Sequence, residues 1–172
     1  MVNQIKTDLS SLNDKQREAV VSEDKRLLVL AGAGSGKTKT LLQKLIYLIE
    51  EKGISPSNIL AITFTKNATN EMIDRLIISA DQTGEYEKTL FDKKLSKADK
   101  DKERFFQVKK YKWIDGLTIR TFHSFCYSIL RNYGVNEFDN KFRIIGDEKK
   151  DEEDELTRHV APKPFLRLFT NF

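Results

Sequence analysis

The sequence has 172 residues and a mass of 19.9 kDa, the size of one ordinary domain. Charged residues make up 33% of it, no apolar run approaches the roughly 20 residues of a membrane span, and Cys126 has no partner for a disulfide, so we expect a cytoplasmic protein without a membrane partner. The net charge is +4, but residues 147–155 carry seven acids against two lysines, which leaves a basic remainder that is compatible with a polyanionic partner.

The first half of the chain alternates between apolar runs and amphipathic stretches. Arg26 to Ala31 is a continuous apolar run, which predicts a strand covered on both faces. Leucines and isoleucines from Leu41 to Ile49 predict a helix that ends near Gly53. Ile59 to Phe64 predicts a second strand, parallel to the first, and the apolar positions behind it predict another helix.

The second half contains one polar stretch between regular elements. Residues 81–116 hold ten basic and eight acidic residues, which predicts a partly helical insertion, mainly solvated. Leu117 to Thr121 predicts a strand, and the spacing of apolar residues from Phe122 to Tyr133 predicts an amphipathic helix that ends at Gly134. Alternation of strand and helix indicates an α/β protein with a parallel sheet.

The strongest chemical motif is AGAGSGKT, Ala31 to Thr38, between a predicted buried strand and a predicted helix. Closely spaced glycines let backbone N–H groups converge on an anion, and the helix adds its positive dipole end. We therefore expect ATP or a related nucleotide with Mg²⁺, Lys37 acting on the β- and γ-phosphates and Thr38 binding the metal. The nucleotide-binding positions are expected to be Ala33, Gly34, Ser35, Gly36, Lys37, Thr38 and Lys39.

This motif leaves several functions open. A glycine-rich turn without a ligand is the structural alternative. A GTPase is disfavoured because no N-K-x-D guanine-reading segment follows. A kinase, a transporter ATPase and a motor are not separated by the phosphate loop alone.

The segment LNDKQREAV, Leu12 to Val20, resembles the start of UvrD/Rep/PcrA-type superfamily 1 DNA helicases. The resemblance implies that Gln16 reads adenine, since a carboxamide matches both the donor and the acceptor of that base. Alternatively, Asn13 caps a helix and Gln16 completes a capping box, and both roles can coexist.

Two further segments are similar to motifs of this family. AITFTKNATNEM, Ala61 to Met72, implies single-stranded DNA contacts by Thr63, Phe64 and Thr65, whereas an apolar strand also allows Phe64 to be a core residue. TIRTFHSF, Thr118 to Phe125, implies DNA contacts near Thr121 and His123. Helix capping and a structural histidine are the alternatives there.

The resemblance implies an incomplete α/β P-loop NTPase (RecA-like) sheet flanked by helices. Residues 1–141 would form the N-terminal ATP-binding domain with 81–116 as its insertion, and residues 142–172 would begin a helical insertion domain. Asp147 and Glu148 follow an apolar run, so they could be a magnesium-binding acidic pair. The favoured interpretation is that this segment begins the helical insertion domain.

The implied parent activity is ATP-dependent translocation and unwinding, 3′ to 5′, on single-stranded DNA. Further helicase domains downstream are expected to supply the missing acidic pair and arginine fingers. This chain is expected to bind MgATP but to hydrolyse little. The alternative is a nucleotide-binding module or small-molecule kinase without a DNA role.

Overall fold

The computed structural model describes residues 7–133, which form two short strands and a larger number of helices. In chain order the elements are α1 (Asp14–Val21), α2 (Lys37–Glu50), β1 (Leu60–Thr63), α3 (Lys66–Ala80), α4 (Glu85–Phe91), α5 (Lys97–Lys110), α6 (Lys112–Gly116), β2 (Thr118–Thr121) and α7 (Phe122–Tyr133). Residues up to Thr121 belong to one compact unit, and α7 opens a second.

Strands β1 and β2 form a parallel pair. The register places Leu60 beside Thr118 and Thr63 beside Thr121. The two strands predicted at Ile59–Phe64 and Leu117–Thr121 are therefore confirmed, and each observed end differs from the predicted one by no more than one residue. The prediction of a parallel sheet is also confirmed. Parallel pairing brings both carboxyl ends to the same edge of the sheet.

The core lies between this sheet and the apolar faces of α2 and α3. Leu45 and Ile46 of α2 are buried, and Leu76 and Ile77 of α3 have no exposed surface. Both predicted helices are confirmed. Beyond the end of α2, Gly53 has a φ of 63°, the left-handed geometry that glycine adopts readily after a helix end.

The strand predicted at Arg26–Ala31 is wrong in this structure. Within residues 7–133 the only strand ladder is the one between β1 and β2, and it does not include these residues. Leu28 is 82% exposed and Leu30 is 88% exposed. Leu27 and Val29 are also exposed, at 47% and 49%, so the run is not covered on either side. An apolar run favours a buried strand, but a ladder also requires a neighbouring strand that the described residues do not supply.

The insertion at residues 81–116 is helical, as predicted, but it is more than a solvated surface. Tyr86 of α4 is 2% exposed, Tyr111 is 5% exposed and Ile114 of α6 is 3% exposed, and all three join the main core. All other residues of the segment are exposed or half-buried, so the expectation of a mainly solvated segment is confirmed, and the three buried side chains anchor it to the core.

A largely buried ion pair ties the insertion to α3. Arg104 of α5 donates from Nε to Asp74 Oδ1 at 2.6 Å and from Nη2 to Oδ2 at 3.0 Å. The Tyr86 hydroxyl donates to the same Asp74 Oδ1 at 2.5 Å. Burial, and then the hydrogen bond to Asp74, raise the pKa of Tyr86 well above its ordinary value, so the hydroxyl stays protonated and donates.

Helix α7 spans Phe122–Tyr133, as its apolar spacing predicts. Gly134, predicted to stop it, lies outside the described residues. None of the helices described is both long enough and apolar enough to cross a membrane.

We predict that Asp74→Ala lowers the free energy of unfolding by about 3 kcal/mol, because it leaves the largely buried Arg104 with only Asp101 as a partner and the buried Tyr86 hydroxyl without its acceptor. Urea unfolding followed by circular dichroism measures this change. Glu71→Ala is the matched control, since it breaks the exposed Glu71–Arg75 pair and should cost less than about 1 kcal/mol. Equal costs for the two variants would show that α5 is not anchored by Asp74.

Candidate functional site

Two glycines give the loop before α2 its shape. Gly34 has a φ of 76° and Gly36 a φ of 81°, both in the left-handed region. Gly36 is also the N-cap residue of α2, and no side chain caps that end of the helix. The first N–H groups of α2 therefore lack a side-chain acceptor, which is the arrangement that binds anions at helix N-termini.

The Lys37 side chain folds back over this loop. Its Nζ donates to Ala31 O at 3.0 Å and to Gly32 O at 2.6 Å. Ser35 Oγ also donates to Gly32 O, at 2.7 Å. The loop thus satisfies its own carbonyls with a lysine ammonium, and a phosphate oxygen would offer that ammonium a stronger, charge-assisted bond.

The remaining predicted loop residues divide by exposure. Ala33, Gly34 and Ser35 form the exposed turn. Thr38 is half-buried, and its hydroxyl makes no hydrogen bond within residues 7–133, so it remains available to a ligand. Lys39 instead donates from Nζ to Ser11 O at 2.7 Å, which ties α2 to the segment before α1.

Gln16 lies against the phosphate loop. Its Oε1 accepts from Asn13 N at 3.0 Å and its N–H donates to Asn13 Oδ1 at 2.9 Å, so the capping box is present. Its Nε2 donates to Ser35 O at 2.8 Å. A Cβ added to Gly36 would lie 2.8 Å from this same Nε2. One side chain therefore completes the cap of α1 and holds the loop, and a larger residue at Gly36 would displace it from Ser35 O.

A cavity of about 230 Å³ joins the start of α2 to the end of β1. Lys37, Thr38 and Leu41 line one side of it. The other side contains Thr63, Phe64, Ala68 and Glu71. The structure thus brings together the residues predicted for phosphate and those predicted for DNA.

The residues predicted to contact DNA at the end of β1 lie around the exposed ring of Phe64. Phe64 is 83% exposed, so the alternative that it is a core residue was wrong. The Thr63 and Thr69 hydroxyls are 2.6 Å apart, and Thr65 Oγ1 accepts from Ala68 N at 3.1 Å as the cap of α3. These bonds fix the turn that presents the ring.

The third predicted segment is divided between the two units. Thr121 ends β2 directly beside Thr63, so two polar strand ends meet at one edge of the sheet. His123 lies in α7, where its ring meets Phe122 edge to face at 6.2 Å.

Sequence reasoning missed Glu71, which lines the cavity beside Lys37 and pairs with Arg75 at 2.6 Å. The only available signal was the helical spacing of four between these two charges. Asp147 and Glu148 lie outside the described residues. Within the part of the chain that is described, no group of three or more His, Cys, Asp and Glu side chains could hold a metal ion.

The chain is similar in sequence to the N-terminal parts of DNA helicases. The family model described as the UvrD/REP helicase N-terminal domain matches residues 12–166. A probable DNA helicase II homolog of Mycoplasma capricolum is 37% identical over 138 residues, which is 80% of this chain and 15% of that protein.

Two proteins named ATP-dependent DNA helicase PcrA share a shorter region. The one from Staphylococcus aureus strain Mu50 is 50% identical and the one from Bacillus subtilis strain 168 is 54% identical, each over 68 residues. That region is 40% of this chain and 9% of each PcrA. The chain therefore matches only a small part of the length of these relatives.

We predict that Gly36→Ala weakens the binding of MgATP at least about tenfold, because the substitution strains a positive φ and drives a methyl group into Gln16. Gly84→Ala is the matched control, since Gly84 has a φ of 68° at the N-cap of α4 and open space around it. Titration calorimetry measures both affinities. Equal weakening in the two variants would assign the effect to backbone strain and not to this loop.

Proposed function

The chain belongs to the UvrD/REP helicase family and matches its N-terminal domain, a P-loop NTPase fold, and we propose that it forms the ATP-binding part of a translocase that moves 3′ to 5′ along single-stranded DNA. Its relatives are named as ATP-dependent DNA helicases. The chain matches 9% to 15% of the length of these relatives, and the activity that we propose is that of a whole protein containing it.

One observation carries the proposal: a single cavity is lined by Lys37 and Thr38 on one side and by Thr63 and Phe64 on the other. A phosphate that draws the Lys37 ammonium away from Ala31 and Gly32 changes the wall of this cavity. The opposite wall carries the ring proposed to hold DNA. Nucleotide binding and the grip on DNA can therefore influence each other through direct packing.

For the nucleotide, the first N–H groups of α2 and the Lys37 ammonium would hold the phosphates. Thr38 fits a ligand of Mg²⁺, because its hydroxyl makes no hydrogen bond within residues 7–133. A bound Mg²⁺ would supply positive charge that neutralises the β- and γ-phosphate oxygens. Gln16 would read adenine once its Nε2 leaves Ser35 O.

Hydrolysis by this chain alone should be slow. Within residues 7–133 no group of three or more His, Cys, Asp and Glu side chains could hold a metal ion, and both an acidic pair and arginine fingers are expected from other parts of the protein. The isolated chain is therefore proposed to bind MgATP with little turnover.

For DNA, the exposed Phe64 ring offers a face for base stacking, which is sequence-tolerant because every base has a π face. The Thr65 backbone and the start of α3 offer donors for a phosphate. Thr121 at the neighbouring strand end is proposed to add a further phosphate contact, and His123 follows it in the chain.

We predict that Phe64→Ala weakens the binding of oligo(dT) by about fivefold or more, because it removes one stacking platform. Fluorescence anisotropy with a labelled oligonucleotide measures the change. Phe106→Ala is the matched control, since Phe106 is 73% exposed on α5 and lines neither of the described cavities. If the chain binds MgATP but no oligonucleotide, the translocase proposal is contradicted, and the alternative of a nucleotide-binding module or small-molecule kinase is favoured.

A further inference from the structure

A second cavity, of about 460 Å³, lies between α3 and the helices of the insertion. We call it the insertion groove. Its lining includes Asn67, Asn70, Phe91, Lys97 and Lys100. It has about twice the volume of the cavity beside the phosphate loop, and none of the side chains proposed above to contact ATP or DNA lines it.

The acidic side chains of the insertion groove are already paired. Glu71 pairs with Arg75 at 2.6 Å. Asp74 pairs with Arg104 at 2.6 Å, and Asp101 forms an ion pair with the same Arg104. Asp74 and Asp101 share one guanidinium, so these ion pairs leave one negative charge over in the groove.

The lysines of the insertion groove are not paired in this way. Lys97 and Lys100 are one turn apart at the start of α5, and neither forms an ion pair within residues 7–133. An ammonium group without a protein partner is available to a phosphate oxygen. With these two lysines the lining holds four cations against three carboxylates, so its net charge is +1.

Phe91 adds an aromatic face. It ends α4 and is 70% exposed, although its neighbour Tyr86 on the same helix is buried in the core. A large exposed ring beside unpaired lysines is the combination that binds single-stranded nucleic acid through stacking and phosphate contacts.

The insertion groove continues from the exposed ring of β1. Phe64 precedes α3, Asn67 and Asn70 lie on the first turns of that helix, and Glu71 lines both cavities. At 1.5 Å per residue, the path from the start of α3 to Asp74 is about 12 Å. The Asp74–Arg104 pair holds α5 against this path, so the groove is preformed.

We propose that the insertion groove is an additional binding segment for single-stranded DNA, in which a base stacks on Phe91 and neighbouring phosphates bind Lys97 and Lys100. The proposal rests on the proposed function, because it assigns where a strand held at Phe64 continues. It gives residues 81–116 a role in lengthening the DNA track.

The test compares oligo(dT) of 6 and 20 nucleotides by fluorescence anisotropy over a series of salt concentrations. Phe91→Ala should weaken the longer oligonucleotide about fivefold or more and leave the shorter one unchanged. The double variant Lys97→Ala/Lys100→Ala should lower the slope of log affinity against log salt by about 1.4, because two phosphate contacts to a single strand are lost.

The matched controls are Phe106→Ala and the double variant Lys102→Ala/Lys112→Ala, which remove similar groups outside the groove. Thermal unfolding followed by circular dichroism confirms that all variants fold alike. If the groove variants match their controls while Phe64→Ala still weakens both oligonucleotides, the proposal is overturned and the proposed function stands.

Two other outcomes are also decisive. If the wild-type chain binds neither oligonucleotide, the DNA role fails at Phe64 and in the groove together. If the groove variants lose affinity for an oligo-glutamate peptide but not for oligo(dT), an acidic protein segment occupies the groove, and this too overturns the proposal.

Discussion

The structure depends on a loop that must satisfy its own polar groups while leaving room for an anion. Left-handed backbone at Gly34 and Gly36 turns the chain into α2 without a side-chain cap, and the Lys37 ammonium lies on the carbonyls of Ala31 and Gly32. In the proposed bound state the same ammonium would neutralise a phosphate, which would compete with these two carbonyls for it. We therefore expect nucleotide binding to rearrange the loop.

The proposed rearrangement would reach its surroundings through direct contacts. Gln16 joins the cap of α1 to the loop through Ser35, and the cavity beside Lys37 extends to the ring of Phe64. Behind this ring, α3 is fixed by its buried apolar face and by the Asp74–Arg104 pair. The phosphate loop therefore lies beside the exposed ring of Phe64 and beside α3, which its packing holds in place.

The sequence predicted what depends on local pattern. Strands β1 and β2 and helix α7 follow from apolar spacing, which acts within a few residues. The strand at Arg26–Ala31 failed because a ladder needs a partner elsewhere in the chain. The link between Asp74 and Arg104 could not be predicted, since it joins two polar-looking helices 30 residues apart. The capping box at Asn13 was foreseeable because its two residues are three apart.

The most direct measurement is a crystal structure of the chain with a non-hydrolysable MgATP analogue. The account predicts that Lys37 Nζ leaves Ala31 O and Gly32 O for the phosphates, that the first N–H groups of α2 contact phosphate oxygens, and that Gln16 Nε2 turns from Ser35 O to the adenine. A bound nucleotide elsewhere, with Lys37 still on its own loop carbonyls, would contradict the account.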